Sequence, residues 1–397
     1  VVRIRISKDV HLPDPLRLER MARSPELGPK VLFFSGGTAL RELSREMLRW
    51  SHNTIHIITP FDSGGSSAKL RKAFRMPAVG DIRNRLMALA DRSLLGNEEI
   101  FRLFAHRLPK EASSGELQDE LERMTKGNHR LVSCIPDPMR KIIRHHLQSF
   151  QDSMPSDFDL TGASIGNLVL AAGYLEHQRR MDPVIYIFSK LVQARGTVRP
   201  VVNKDMHLMA ELDNGEVIIG QHLITGKETG PIHETIRSLR LTQTLEGRTV
   251  VDVPIRNKMK ELIAEAELIC YPIGSFYSSV VANLLPSGVG SAIAANSCSK
   301  VFVPNLGMDP EAKGLSVTDQ IGILLGYLRR DAPNEIADAE ILNFVLLDIK
   351  NGKYPGPIDQ KLIRSWGLEI IDCSLVTEAS SPYLDGAKLA EVLLSLT

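Results

Sequence analysis

Short apolar runs recur along the chain, and each ends in small polar residues. Val31-Leu32-Phe33-Phe34 runs into Ser35-Gly36-Gly37-Thr38. Ile55-His56-Ile57-Ile58-Thr59 runs into Phe61-Asp62-Ser63-Gly64-Gly65-Ser66-Ser67. Leu268-Ile269-Cys270-Tyr271 precedes Pro272 to Ser279, and Val301-Phe302-Val303 precedes Pro304-Asn305. Runs this short do not separate strand from helix by period. Glycine directly after the first tips it to strand, because glycine allows a tight turn and a close approach. Apolar stripes at helical spacing follow: Leu40, Leu43, Met47 and Leu48, then Leu86, Met87, Leu89 and Ala90. Thr38 and Asp81 are fair N-caps for these two helices. The alternation predicts an α/β fold, a three-layer sandwich with a mainly parallel sheet flanked by helices.

The remaining segments fit around that frame. Residues 1–29 read as a short strand (Val2, Ile4 and Ile6 alternate with Arg3 and Arg5) and a Pro-rich connector, a peripheral extension to an α/β domain spanning 30–397. Residues 92–160 keep helical spacing at Ile100, Leu103, Phe104, Leu108, Leu117, Leu121 and Met124, and read as a helical insertion covering the site. Pro183–Lys190 fits a strand or a buried helix. Glu211 to Gly220 carries Asn214-Gly215 between apolar runs, a hairpin signal without evident chemistry. Lys258–Ala266, Val317–Leu328 and Ala387–Leu396 read as helices, and Phe344–Leu347 and Leu368–Asp372 as strands.

Composition narrows the function. The chain has 397 residues, 43% of them apolar, enough for a sizeable core. A formal net charge of +1 argues against a dedicated nucleic-acid binder. Cys134, Cys270, Cys298 and Cys373 are scattered without a CxxC pair, which suits reduced thiols rather than a zinc site or disulfide framework. No apolar stretch reaches the roughly 18–20 residues of a membrane span, and Val-Val-Arg-Ile-Arg-Ile lacks a signal-peptide layout, so a cytoplasmic protein without membrane contact is expected.

The candidate chemistry lies in the turns. Backbone N–H groups and the positive end of a helix dipole form a natural anion site. Gly64-Gly65-Ser66-Ser67 offers N–H donors and hydroxyls for a phosphate. Lys69, Arg71 and Lys72 either neutralise phosphates or form a solvated helix face. Asp62 either holds a metal, accepts a hydroxyl proton or caps its turn. Asp81, Arg83 and Asn84 in Gly80-Asp81-Ile82-Arg83-Asn84 can point into a cleft. Ser164, Gly166 and Asn167 either contact a phosphate or ribose or permit tight helix packing. Adjacent His145 and His146 diverge by about 100° on a helix and read as a solvated face, not a metal pair. His207, His222 and His233 have no ligand spacing and read as bland.

With these turns in hand, the chain resembles the CofD-like superfamily, named for 2-phospho-L-lactate transferase, and is most similar to its YvcK-like branch. The resemblance runs from Lys30 to the C-terminal helix. Gly36-Gly37-Thr38 matches the family's GGTG turn, with Ala39 for its last glycine. Asp62 to Ala68 matches DDGGSSG, and Gly80 to Asn84 matches GDIRN unchanged. Ser164, Gly166 and Asn167 match a small-residue turn ending in GN. Gly274, Ser275, Tyr277 and Ser279 match GPGSLYTS, and Asn305 a later strand-end loop. Ser63 departs from the pattern: it stands where the family has a second Asp, which removes a carboxylate from a place where a divalent cation bridges phosphates.

The resemblance implies a Rossmann-like nucleotide binder, a homodimer, with one of two activities. As a transferase it would move a phospho-linked group from a guanylyl-activated donor to an acceptor hydroxyl. Gly36, Gly37, Gly65 and Ser66 would then cradle phosphates, Asp62 would position Mg²⁺ or the acceptor, and Arg83 would stabilise developing charge. Thr38, Gly64, Ser67, Asp81, Asn84, Ser164, Gly166, Asn167, Gly274, Ser275, Tyr277 and Asn305 would complete the ligand contacts. As a non-catalytic regulator in cell-envelope or carbon metabolism, it would hold a nucleotide sugar such as a UDP-sugar in the same cleft.

Overall fold

The computed structural model describes residues 9–91, 97–226, 230–332 and 334–397. Seven parallel strands form the main sheet: β1 (Val31–Ser35), β2 (Ile55–Ile58), β3 (Thr197–Pro200), β7 (Leu268–Tyr271), β8 (Ser299–Phe302), β9 (Phe344–Leu347) and β10 (Glu369–Asp372). Their order is β10-β9-β8-β7-β1-β2-β3, with Phe33 opposite His56 on one side and Cys270 on the other. The chain leaves β1 toward β2 and β3, then returns to β7 on the other side of β1. This reversal makes the crevice between the loops after β1 and β7 the expected ligand site of an open α/β sheet.

Strand periodicity sets the two faces. Leu32 and Phe34 of β1 join a core with Ile269, Tyr271, Val345 and the helices Asn257–Ala264 and Val317–Arg329. Val31 and Phe33 point the other way, into a cluster with Leu43, Met47, Leu389 and Leu393 from the helices Arg41–Met47 and Gly386–Ser395. Alternate residues thus bury on opposite faces, as a pleated strand covered by helices on both sides requires. A second, antiparallel sheet of order β5-β4-β6 is built from β4 (His207–Leu212), β5 (Val217–Ile219) and β6 (Ile236–Thr242), and its Leu208 and Leu239 enter the first core. β4 and β5 form the hairpin expected around Asn214-Gly215.

The insertion is helical over its described part: Asn97–Ala105, Ser114–Lys126, Arg130–Ser133 and Met139–Ser153. Its Leu103, Leu121, Ile143 and Phe150 share a core with Leu70, Ile82 and Leu168. Met181–Leu191 resolves the open alternative over Pro183–Lys190 as a helix.

Four local expectations are corrected. The Pro-rich connector contains the helix Pro15–Arg23, capped by Asp14, whose side chain accepts from Arg17 N; proline fits the first turn because its missing N–H would be unsatisfied there anyway. It packs by Leu18 against the C-terminal helix cluster. Residues 1–8, with the expected first strand, lie outside the described residues. Thr38 is not an N-cap, because the helix starts at Arg41 and Thr38 O closes the preceding turn with Arg41 N at 3.1 Å. Asp81 lies inside the first turn of the helix Gly80–Ala88, which Val79 caps; a carboxylate there still favours the helix dipole. His146 is not solvated: it is buried, with Nδ1 2.9 Å from Glu176 Oε2, while exposed His145 reaches Glu176 Oε1 at 3.2 Å. No described helix is long and apolar enough to cross a membrane.

Candidate functional site

A cavity of about 440 Å³ opens at the C-terminal ends of β1, β2 and β7. Its walls include Gly36, Gly37 and Thr38 after β1, Asp62 and Gly64 after β2, Asp81 and Asn84 of the following helix, and Gly274 and Ser275 after β7. Nine residues picked out from the turns are therefore brought to one cleft by strands that pair directly.

The first loop is shaped by what lies against its glycines. A Cβ at Gly36 would sit 2.5 Å from Ser279 Oγ, and one at Gly37 would sit 2.1 Å from Asp81 Oδ1. A side chain at either position would displace Ser279 or Asp81. Arg85, fully buried, holds the loop from behind: Nη1 donates to Leu40 O at 2.9 Å and to Ser44 Oγ, and Nη2 donates to Gly36 O at 2.9 Å. Burial lowers the Arg85 pKa to about 10, with Asp81 opposing the shift. Asn283 Nδ2 donates to Ser35 O at 3.2 Å and Ser279 O at 2.7 Å, tying this loop to the segment after β7.

Asp62 closes its own turn by accepting from Gly64 N at 3.0 Å through Oδ1. Arg71 supports that turn from the helix Gly65–Phe74, donating to the carbonyls of Phe61 and Asp62 at 3.0 Å each and pairing with Asp205 at 2.7 Å. Lys69 is engaged by Asp159 at 2.6 Å and by Thr161. Arg71 and Lys69 thus spend their charge on structure outside the cavity lining, and Lys72 is exposed. Gly65 is also away from the lining: it is exposed, with φ +47° and open space where a Cβ would stand.

Ser66, Ser67, Ser164, Gly166 and Asn167 lie behind the cavity wall, between the helices Gly65–Phe74 and Ile165–Glu176. Ser66 Oγ accepts from Ser164 N and from Asn167 Nδ2, each at 3.4 Å. A Cβ at Gly166 would meet Arg83 Cδ at 2.8 Å and Phe104 O at 2.9 Å, so this glycine permits helix packing. A Cβ at Gly80 would meet Ser67 Oγ at 2.7 Å, which brings that helix start against the Asp62 turn. Arg83 turns away from the main cavity into a side lobe, where it donates to Ser164 Oγ and, at 2.5 Å, to Asn84 Oδ1.

The loop after β7 is pinned by Asn305, whose Oδ1 accepts from Gly274 N at 2.8 Å and whose Nδ2 donates to Gly274 O at 2.5 Å. Gly274 has φ +141°, a conformation open mainly to glycine. Tyr277 is buried and donates to Ile236 O at 2.8 Å, away from the cavity lining. The amides on either side of it are already engaged: Asp309 Oδ2 accepts from Phe276 N at 2.6 Å, and Glu311 Oε2 from Ser278 N at 2.7 Å.

Pattern reading missed the far wall. Gln221, His222 and Thr225, from the short helix Gln221–Thr225 after the hairpin, line the cavity. Ser63 Oγ lies 2.8 Å from His222 Nδ1 and accepts from His222 N at 3.1 Å. The residue that departs from the family turn is thus hydrogen-bonded to a histidine 159 positions away. No spacing signals such a pair, since only the packing of the second sheet against the first creates it.

Asp62 and Asp81 are the carboxylates of the cavity lining. Among the described residues, no group of three or more His, Cys, Asp or Glu side chains could hold a metal ion. Two carboxylates are a set that Mg²⁺ shares with ligand phosphates, rather than a cage made by protein alone.

A family model described as 2-phospho-L-lactate transferase CofD matches residues 31–376. The gluconeogenesis factor of Bacillus subtilis strain 168 is 27% identical over 398 residues, covering 93% of this chain and 98% of that protein. The gluconeogenesis factor of Halalkalibacterium halodurans is 25% identical over 374 residues, covering 92% and 95%. A crystal structure of a UPF0052 family member from Bacillus halodurans superposes with a TM-score of 0.67 at 24% identity, over 92% of this chain and 99% of that one. That likeness bears on the fold.

Proposed function

The chain belongs to the CofD-like superfamily, alongside the gluconeogenesis factors of its YvcK-like branch, and on that premise we propose that it is a nucleotide-sugar-binding regulator of carbon or cell-envelope metabolism. The observation that carries this reading is Ser63. Where a second carboxylate would serve a divalent cation, the side chain is neutral and hydrogen-bonded to His222. The lining is otherwise rich in neutral hydrogen-bonding groups, from Gly36, Gly37 and Gly64 to Thr38, Asn84, Gln221 and Ser275. Such groups hold a diphosphate by hydrogen bonds and need no reactive side chain. The sugar and base occupy the remainder of the crevice, and the bound state is what partners read.

Asp62 and Asp81 keep a second reading open. In a transferase they would hold Mg²⁺ together with ligand phosphate oxygens, and the cation would neutralise charge on the transferred group. Thermal unfolding separates the two. The protein is melted with GTP, GDP, UDP, UDP-N-acetylglucosamine or ATP, each with and without Mg²⁺. A ligand at 100 times its Kd stabilises the fold by about 2.7 kcal/mol. The regulator reading expects a shift with the uridine sugar that is indifferent to Mg²⁺. A guanine-specific, Mg²⁺-dependent shift supports the transferase instead, and no shift with any ligand overturns both.

A further inference from the structure

Beside the main cavity lies a second lobe of about 220 Å³, which shares Gly37, Thr38 and Asn84 with it. The rest of this lobe is of a different character. Arg41 and Arg83 line it, together with the apolar Met87, Phe101 and Ala105. Arg83 is 93% buried by the neighbouring helices, its residue exposure being 7%. Its guanidinium is oriented by Ser164 Oγ and Asn84 Oδ1, neutral acceptors that bring no counter-charge of their own. Burial first, then the charges of Arg107 and Arg41, lower its pKa to about 10, and Asp81 is the opposing influence. Among the described residues, Arg41 and Arg107 add their positive charge to that of Arg83, and the Asp81 carboxylate that opposes them also acts on buried Arg85.

Burying a cation without a charged partner is costly, and a fixed guanidinium fork matches a carboxylate in charge and shape. The apolar wall suits the C–H face of a sugar ring. From the lobe's charge, its apolar wall and its continuity with the glycine loop, we propose that the ligand is an acidic nucleotide sugar. Its diphosphate lies along Gly36 and Gly37, and a carboxylate on its sugar enters the Arg41–Arg83 lobe. This deepens the nucleotide-sugar reading and rests on it.

Two matched ligand pairs test the inference by titration calorimetry with the full chain in low salt. UDP-glucuronate differs from UDP-glucose by a carboxylate in place of a hydroxymethyl group. UDP-N-acetylmuramate differs from UDP-N-acetylglucosamine by an added lactyl carboxylate. The acidic member of at least one pair should bind tenfold or more tightly, and in Arg41→Ala that ratio should fall below twofold. Arg41 is exposed, so this variant should fold, which circular dichroism and a melting curve verify. Arg41→Lys should keep an intermediate ratio, since charge remains while the fork is lost. Equal affinities within both pairs, or a preference that Arg41→Ala leaves intact, overturn the acidic-sugar assignment while the nucleotide-sugar reading stands. Binding of none of the four overturns both.

Discussion

Arg85 has no exposed surface, yet its guanidinium donates to the backbone of the loop that opens the cavity. Replacing it with methionine roughly keeps the volume but takes the guanidinium donor from Gly36 O and leaves Leu40 O only its bonds from Ser44. Removing one partner of a buried polar cluster costs about 1–3 kcal/mol, so Arg85→Met should lower the urea midpoint clearly and weaken ligand binding beyond that of a distant core variant of equal stability. Unchanged binding at matched stability would show that the loop does not depend on Arg85. Asp62 permits a sharper separation. Asp62→Asn retains an oxygen to accept from Gly64 N, whereas Asp62→Ala does not. The asparagine variant should melt like the parent and lose any Mg²⁺-linked part of binding. The alanine variant should lose about 1 kcal/mol of stability as well.

The elements themselves were largely legible. β7 and β9 fall on the residues that their apolar runs marked, because a strand buried on both faces is a short continuous run bounded by turn residues. Helix starts were less legible. Thr38 has the chemistry of a cap, but its carbonyl closes a turn with Arg41 N, and the helix begins only at Arg41. The glycine turns told where the chain approaches itself closely, not whether a ligand or another helix fills the space: Gly37 lines the cavity, while Gly166 packs on Arg83. Asn305 was marked by its family turn, and its geometry gives it a positioning part. Asn305→Ala removes both of its bonds to Gly274. The Gly274 amide should then exchange its hydrogen faster, and affinity should fall several-fold with little change in melting temperature. An unchanged exchange rate would mean that the left-handed turn holds without it.

For the whole molecule, burial leaves an imprint on acid stability. His56 is fully buried, stacked on Phe33 at 5.1 Å, and desolvation, aided by Arg85, pushes its pKa well below the ordinary value. His207 is lowered to about 4 by burial, then by Arg71 and His222, and His146 is lowered by burial against the opposing pull of Glu176. His56 and His207 stay neutral in the folded chain well below the pH near 6.5 at which the unfolded chain takes up protons, and His146 follows in the same direction. Stability is therefore full above that pH and declines as pH falls toward the folded-state values, by at most about 1.4 kcal/mol per pH unit for each fully buried histidine. Urea midpoints measured from pH 7.5 to 5 should fall, and His56→Gln should flatten the slope; a flat profile in the parent would contradict the burial of these rings. The same scale explains what the sequence hid. His222 meets Ser63 across 159 positions, through a sheet whose placement no local period encodes.

The carboxylates of Asp309 and Glu311 on the amides of Phe276 and Ser278 have a practical corollary for chemical probes of this cleft. In inhibitor design, those two amides are already taken by carboxylates outside the cavity lining, so a phosphate isostere aimed at them finds no free donor. A compound carrying its acidic warhead toward the glycine loop and a basic amine toward Asp62 would match the polarity of the lining, and screening libraries biased to such zwitterions should yield more hits than purely anionic ones.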